Sequence, residues 1–238
     1  MNDLFLTHTL LFRGTDAAQA RVMLDCLGAY EKQYRKGDTI LHAGDCVSSM
    51  GLILSGSVNI EIDDLWGNKT ILSHLEAGQL FAETYAFIPG EPLMVNVIAN
   101  EASQVLFLNA ARLLATCPNS CEHHNKLIRN LLQIAAQKNL AFSRRSLHTS
   151  RKTIRDRLLS YLSQQAKQFG SYQFTNPFNR QQLADYLGVD RSAMSNELGK
   201  MQRDGILTYH KSSFQLLMGT DNHAHPEPMP KSSPIIYK

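Results

Sequence analysis

Arg191, Ser192, Ser195 and Asn196 have side chains that can hydrogen-bond base edges and phosphates, and their i, i+1, i+4, i+5 spacing places them together on one helical face. Met194, Leu198 and Met201 recur at helical spacing to supply that helix with an apolar side, and Asp190 stands where an N-cap belongs. Just upstream, Leu183, Ala184 and Leu187 give a shorter helix its apolar face. Gly188 breaks that helix, because glycine accepts the φ values a helix end requires. The segment Phe178 to Leu207 therefore reads as helix, tight turn, second helix, then a strand opening a wing. That arrangement can carry a helix into the major groove of a duplex.

The distribution of charge agrees with this reading. Residues 144–217 hold twelve Lys or Arg against five Asp or Glu, whereas residues 1–118 hold seven against thirteen. The net +3 of the whole chain hides a basic C-terminal third behind an acidic N-terminal half. The basic part can neutralise phosphates, and the acidic part is expected to stay off the duplex.

Other residues could do different chemistry. Cys117-x-x-x-Cys121 with His123 and His124 offers soft ligands at helical spacing, although Pro118 sits inside the pair. Glu83 with His74 or His123 could act as an acid–base pair. No nucleophile motif, phosphate loop or pair of carboxylates accompanies them, so the chain is not expected to be an enzyme. No metal site or resident cofactor is expected either. The four cysteines, Cys26, Cys46, Cys117 and Cys121, read as reduced thiols rather than a disulfide frame. No apolar run approaches the roughly 20 residues of a membrane span. The apolar stretch Leu4 to Phe12 lacks the basic flank and cleavage site of a signal peptide. A cytoplasmic protein with no membrane partner is expected.

Several elements must position these residues. Residues 16–30 read as a helix burying Ala17, Ala20, Met23, Leu24 and Leu27. From Tyr34 to Leu108, short β-prone runs alternate with glycines: Thr39–Leu41, Met50–Leu54, Ser57–Ile62, Thr70–Leu75, Met94–Ala99 and Gln104–Leu108. They suggest an antiparallel roll, with a hairpin loop at 64–68. A long helix follows, from Asn119 or Ser120 to Arg145. Ile128, Ala135 and Phe142 recur every seven residues with Leu131, Leu132 and Ile134 between them, a seam suited to a partner helix. Another helix at 150–168 turns Ile154, Leu158, Leu159 and Leu162 inward and Arg151, Lys152, Arg155 and Arg157 outward. Ile206–Tyr209 and Phe214–Leu217 make a two-stranded wing. The last 20 residues, with four prolines, are expected to be mobile.

From about Tyr34 to Leu217 the chain resembles the Crp/Fnr family of bacterial transcription regulators. The features that carry the likeness are Lys36-Gly37-Asp38 and Leu54-Ser55-Gly56-Ser57-Val58, then Asp190-Arg191-Ser192-Ala193-Met194-Ser195, Glu197-Leu198 and Asp204-Gly205-Ile206-Leu207. The resemblance implies an α+β chain of four parts: a β-roll effector-sensing domain at 1–118, a dimerisation helix at 119–146, a winged helix-turn-helix DNA-binding domain at 147–218, and a tail at 219–238. It also implies a homodimer on a palindromic site in double-stranded DNA, controlled by a small effector, with RNA polymerase as a further partner.

Arg191 falls on the family's base- or phosphate-contacting arginine. Ser192 and Asn196 stand where the family often has Glu and Arg, so the half-site is expected to differ from the family's familiar one. Arg180 and Gln181 are expected on backbone phosphate, and Lys200 and Arg203 on solvent or phosphate. In cyclic-nucleotide-binding members an acidic residue follows a Gly-x-Leu turn, and an Arg-Ser pair then holds the phosphate. Here Gly78-Gln79-Leu80-Phe81-Ala82-Glu83 keeps the acid, but Leu93 and Met94 replace the pair. An apolar pair cannot make charge-assisted hydrogen bonds to a phosphate. The effector is therefore expected not to be cyclic AMP, but an unknown small molecule held by Glu83, Leu93, Met94, Lys138 and Asn139. The alternatives are a pocket filled by its own side chains, and a redox or metal response through Cys117 and Cys121.

Overall fold

The computed structural model describes residues 3–63, 69–115 and 122–217. In chain order they form α1 (Asp3–His8), α2 (Ala17–Cys26), β1 (Tyr30–Tyr34), β2 (Thr39–Leu41), β3 (Ser49–Ser55), β4 (Ser57–Asp63), β5 (Lys69–Glu76), β6 (Leu80–Phe81), α3 (Glu83–Ala86), β7 (Asn96–Ala99), β8 (Ser103–Asn109), α4 (Ala110–Leu114), α5 (Glu122–Thr149), α6 (Ile154–Phe169), β9 (Gln173–Thr175), α7 (Arg180–Leu187), α8 (Arg191–Arg203), β10 (Leu207–His210) and β11 (Ser213–Leu216). The chain divides into two units, Met1–Ala136 and Gln137–Lys238, so the division falls inside α5.

In the first unit, two antiparallel four-stranded sheets are ordered β1-β8-β3-β6 and β2-β7-β4-β5. Strand alternation sends Ile53, Val105 and Phe107 between the sheets, where they meet Ile40, Val58, Val97 and Phe81. The same strands send Met50, Leu52, Leu106 and Leu108 to the other side, against Leu6, Phe12, Met23 and Leu27 of the N-terminal segment and Leu127, Leu131 and Ile134 of α5. With both faces covered, β3 and β8 read as nearly continuous apolar runs. Gly51 makes room for the Phe81 ring: a Cβ at that position would lie 2.1 Å from Phe81 Cζ.

Two features differ from the sequence reading. The helix expected at 16–30 stops at Cys26, and Tyr30–Tyr34 is a strand, paired among the described residues with β8 alone. As a sheet edge it carries polar residues and lacks the alternation that betrays a half-buried strand. Leu131 and Ile134, expected in the partner seam, are buried in the first unit's own core, with Ile128 packed beside them. The stretch Leu4 to Phe12 begins with a helix. The expected hairpin loop at 64–68, the start of the long helix and the C-terminal tail lie outside the described residues, although Asp63 pairs with Lys69 across β4 and β5.

In the second unit, α6, α7 and α8 surround one apolar cluster with a small sheet ordered β10-β11-β9. Leu158, Leu162, Leu183, Leu187, Met194, Leu198, Met201, Leu207 and Phe214 are its buried members. β9 is a short third strand that the sequence reading did not anticipate.

Candidate nucleic-acid interface

The helix pair is defined by local hydrogen bonding. Asn179 caps α7 and exchanges bonds with Gln182 in a capping box. Gly188 closes α7 at φ +62°, and Asp190 Oδ1 accepts the Ala193 amide at 2.7 Å to open α8. The caps thus set a sharp turn of three residues between two helices.

Three arginines, none of them in α8, then fix this pair. Arg157 donates through Nη1 to the Leu187 and Gly188 carbonyls at 3.1 and 3.0 Å, and through Nε to the Arg151 carbonyl. Arg145, in α5, donates to the Tyr186 and Asp185 carbonyls, both at 2.9 Å. Two guanidinium groups therefore converge on the C-terminal carbonyls of α7, where the helix dipole favours cations. Arg155 pairs with Glu197 at 2.7 Å and with Asp204, and so ties α6 to both ends of the C-terminal half of α8. The outward basic face expected on α6 is thus partly committed: Arg155 and Arg157 hold the frame, while Arg151 and Lys152 remain exposed. Partners some 30–50 positions apart leave no periodic trace in a sequence.

His148, near the end of α5, is buried among these elements. It shares a 2.8 Å hydrogen bond with Ser160 and stacks edge-on against Tyr161, with Tyr186 tilted beside it. Burial holds its pKa below the ordinary histidine value; a Gln164 hydrogen bond opposes the shift and Arg151 reinforces it. Tyr161 in turn donates to buried Asn176 at 2.6 Å.

Arg191, Ser192 and Asn196 are exposed on α8, and Ser195 is half-buried, its hydroxyl donating to the Arg191 carbonyl at 2.9 Å. Lys200 and Arg203 are exposed further along the helix, Lys200 3.6 Å from Glu197. Gly199 lies on the same helical face. A Cβ there would meet nothing but an Arg203 nitrogen at 3.9 Å, so the glycine leaves open space over the backbone. The sequence reading passed over it, yet a glycine inside a helical pattern signals either a weak helix or a close approach. Gln181 is exposed and bonded to Asp185 at 2.8 Å. Arg180 is half-buried, its guanidinium carbon lying over the Tyr209 and Phe214 rings of the wing, 4.7 and 5.0 Å from their centroids.

The five residues expected to hold an effector are distributed differently. Glu83 is buried at the first position of α3, directly after Ala82, which adopts φ +59°. Leu93 is 3% exposed and Met94 68%, so the neighbours face opposite ways and do not line one surface. Lys138 and Asn139 are exposed on the part of α5 that belongs to the second unit. His74 is exposed and bonded to Asn59, on the strand beside it. Cys117, Cys121 and the His123 side chain lie outside the described residues. Among those described, Cys26 and Cys46 are exposed and form no disulfide, and no group of three His, Cys, Asp or Glu is placed to hold a metal. No described helix is long and apolar enough to cross a membrane.

Residues 31–120 match the cyclic nucleotide-binding domain family, and residues 156–217 match the Crp-like helix-turn-helix domain. The chain is 23% identical over 189 residues to the cAMP-activated global transcriptional regulator CRP of Salmonella typhimurium, covering 75% of this chain and 85% of that protein. Over 82 residues it is 30% identical to the cAMP-activated regulator Vfr of Pseudomonas aeruginosa, covering 34% of this chain and 35% of Vfr. The fold is shared with the c-di-GMP responsive regulator CLP of Xanthomonas campestris (TM-score 0.55, 18% identity, 86% of this chain and 100% of that one). It is also shared with CprK in complex with OCPA (TM-score 0.59, 15% identity, 82% of this chain and 90% of that one). A β-rich effector-binding domain, a long helix and a helix-turn-helix domain with a small wing sheet follow one another in this chain, and it belongs to the Crp/Fnr family of DNA-binding transcription regulators, a family that is not enzymatic.

Proposed function

We propose that this regulator reads a palindromic DNA site as a homodimer, under the control of a small effector other than cyclic AMP. The observation that carries the reading is the exposed face of α8, held on a frame that none of its base-reading candidates helps to build. Arg191 grips guanine O6 and N7, and Asn196 suits adenine N6 and N7. Ser192 and Ser195 take neighbouring base edges or phosphates. Gln181, Arg180, Lys200 and Arg203 face phosphate. Residues 1–118 sense the effector, 119–146 form the dimer helix, 147–218 bind DNA, and 219–238 form a tail.

The dimer is supported by Leu132, Leu140, Phe142 and Leu147, large apolar side chains exposed on one 28-residue helix; Leu132 and Phe142 are 69% and 73% exposed. Their burial against the same helix of a second copy would space two recognition helices for two half-sites. The effector reading is supported by the match of residues 31–120 to the cyclic nucleotide-binding domain family, with Glu83, Leu93, Met94, Lys138 and Asn139 as the candidates to test one by one. Leu93 and Met94 offer no charge to a cyclic phosphate, unlike the Arg-Ser pair that the family resemblance implies in cyclic-nucleotide binders. A ligand-independent regulator is the second reading, favoured by the Phe81 and Phe107 rings that meet edge to face between the sheets. The protein works in the cytoplasm and meets RNA polymerase at its promoters.

The test is binding of the purified chain to duplexes it selects from a randomised library. Affinity should fall steeply with salt as phosphates release counterions. Arg191→Ala should cost about 1–3 kcal/mol and relax the base preference at one position. A flat salt response overturns the DNA-reading surface. Native mass spectrometry of the same preparation tests the rest: a dimer with extra mass supports the effector, a bare dimer supports the filled roll, and a monomer overturns the helix seam.

A further inference from the structure

Arg180 occupies the first turn of α7, where the positive end of the helix dipole disfavours a cation. Its side chain is nonetheless half-buried and makes no carboxylate pair among the described residues. What surrounds the guanidinium is aromatic. Tyr209 on β10 and Phe214 on β11 are cross-strand partners, their rings 6.0 Å apart, and both lie beneath it at 4.7 and 5.0 Å. Phe214 is buried and continues the stack into Phe174 on β9 and from there to Phe169. The wing thus has a continuous aromatic layer, with one cation from the helix-turn-helix closing it.

We propose that Arg180 is a positioning residue: stacked across Tyr209 and Phe214, it locks the wing hairpin to α7 and so fixes where the wing tip, His210 and Lys211, meets the duplex beside the half-site. A guanidinium stacked by its face keeps its edge N–H groups for a phosphate, so clamp and phosphate contact are compatible in one side chain. An ammonium cannot do both, because it lacks the plane that matches two rings. Lys211, at φ +53°, takes a backbone conformation uncommon for a side-chain-bearing residue. The hairpin tip it shapes is useful only if the hairpin is held at a constant angle. This inference rests on the DNA-reading proposal for its second half and stands apart from it for the first.

The experiment uses the full chain and compares wild type, Arg180→Lys and Tyr209→Leu. Amide hydrogen exchange of the free protein reports the clamp without DNA. Exchange across β10 and β11 should quicken about tenfold in both variants, the scale of a partly desolvated cation–π contact, while α8 amides stay unchanged. Hydroxyl-radical footprinting on a duplex selected by the wild type reports the consequence. Tyr209→Leu, which removes a ring of the clamp and no proposed DNA contact, should lose protection outside the half-site and keep it within. Unchanged wing exchange in both variants overturns the clamp. Faster exchange with an undiminished outer footprint overturns its role in placing the wing. If the wild type selects no duplex at all, the DNA-reading proposal has failed, and the exchange data still decide the clamp.

Discussion

The two units of this regulator are held together by different means. Between the sheets of the first unit, order comes from volume: Phe81 fills the space left by Gly51, and Phe107 meets it edge to face at 6.3 Å between ring centroids. In the second unit an apolar cluster is also present, but the angle between helices is set by charged side chains reaching across to backbone carbonyls and carboxylates. A sensor of small molecules needs a shaped interior. A reader of DNA needs rigid placement of a surface. The basic charge of the second unit is therefore not all available to phosphate, because Arg145, Arg155 and Arg157 are already committed to the frame.

The largest expected effect tests the first half of that contrast. Phe81→Ala leaves a void between the sheets and should destabilise the first unit by about 3–5 kcal/mol. The second unit's amide exchange should not change. A loss of only about 1 kcal/mol would mean that the roll interior collapses easily and is not held by packing. Arg157→Ala comes next. It removes charge-assisted bonds to the end of α7 and should destabilise the second unit by about 1.5–3 kcal/mol, read by denaturant unfolding. No loss would mean that the apolar cluster alone holds the helices, as it does between the sheets.

A smaller effect concerns protons. Burial depresses the pKa of His148 in the folded protein relative to the unfolded chain, whose value is about 6.5. Its contribution is complete above about pH 6.5 and is lost as pH falls through the folded value, because the unfolded state then binds more protons. The midpoint of the second unit should fall between pH 7 and pH 5, and His148→Gln should flatten that slope. Smallest is Gly199→Ala, where the two readouts are expected to move oppositely. The helix should gain up to about 1 kcal/mol, while affinity for selected duplexes should drop because the backbone can no longer approach as closely. Equal or better affinity would place Gly199 away from the duplex.

How much of this was legible in the sequence depends on the range of the interaction. The helix-turn-helix was legible because every signal in it is local: the apolar spacing of Leu183 and Leu187, the Gly188 stop, the Asp190 cap. The roll's glycine-spaced strands were legible for the same reason. β1 was not, since Tyr30-Glu31-Lys32-Gln33-Tyr34 is an edge strand whose partner β8 lies some 70 residues away. Periodicity also described α5 as a helix but could not apportion its faces, so Leu131 and Ile134 were expected at a partner and are spent on the protein's own core. Nor could it show that Arg180 meets two rings of the wing, or that Leu93 and Met94 face opposite ways.

The arginine frame around α7 has an evolutionary consequence. The groups that orient α8 are contributed by α5 and α6, whereas the positions proposed to touch bases lie on α8 itself. Orientation and vocabulary are thereby encoded in separate stretches of the gene. If the exposed residues 191, 192 and 196 read bases as proposed, they can be exchanged at little cost to the fold, and the same scaffold can be retargeted from one operator to another by few mutations.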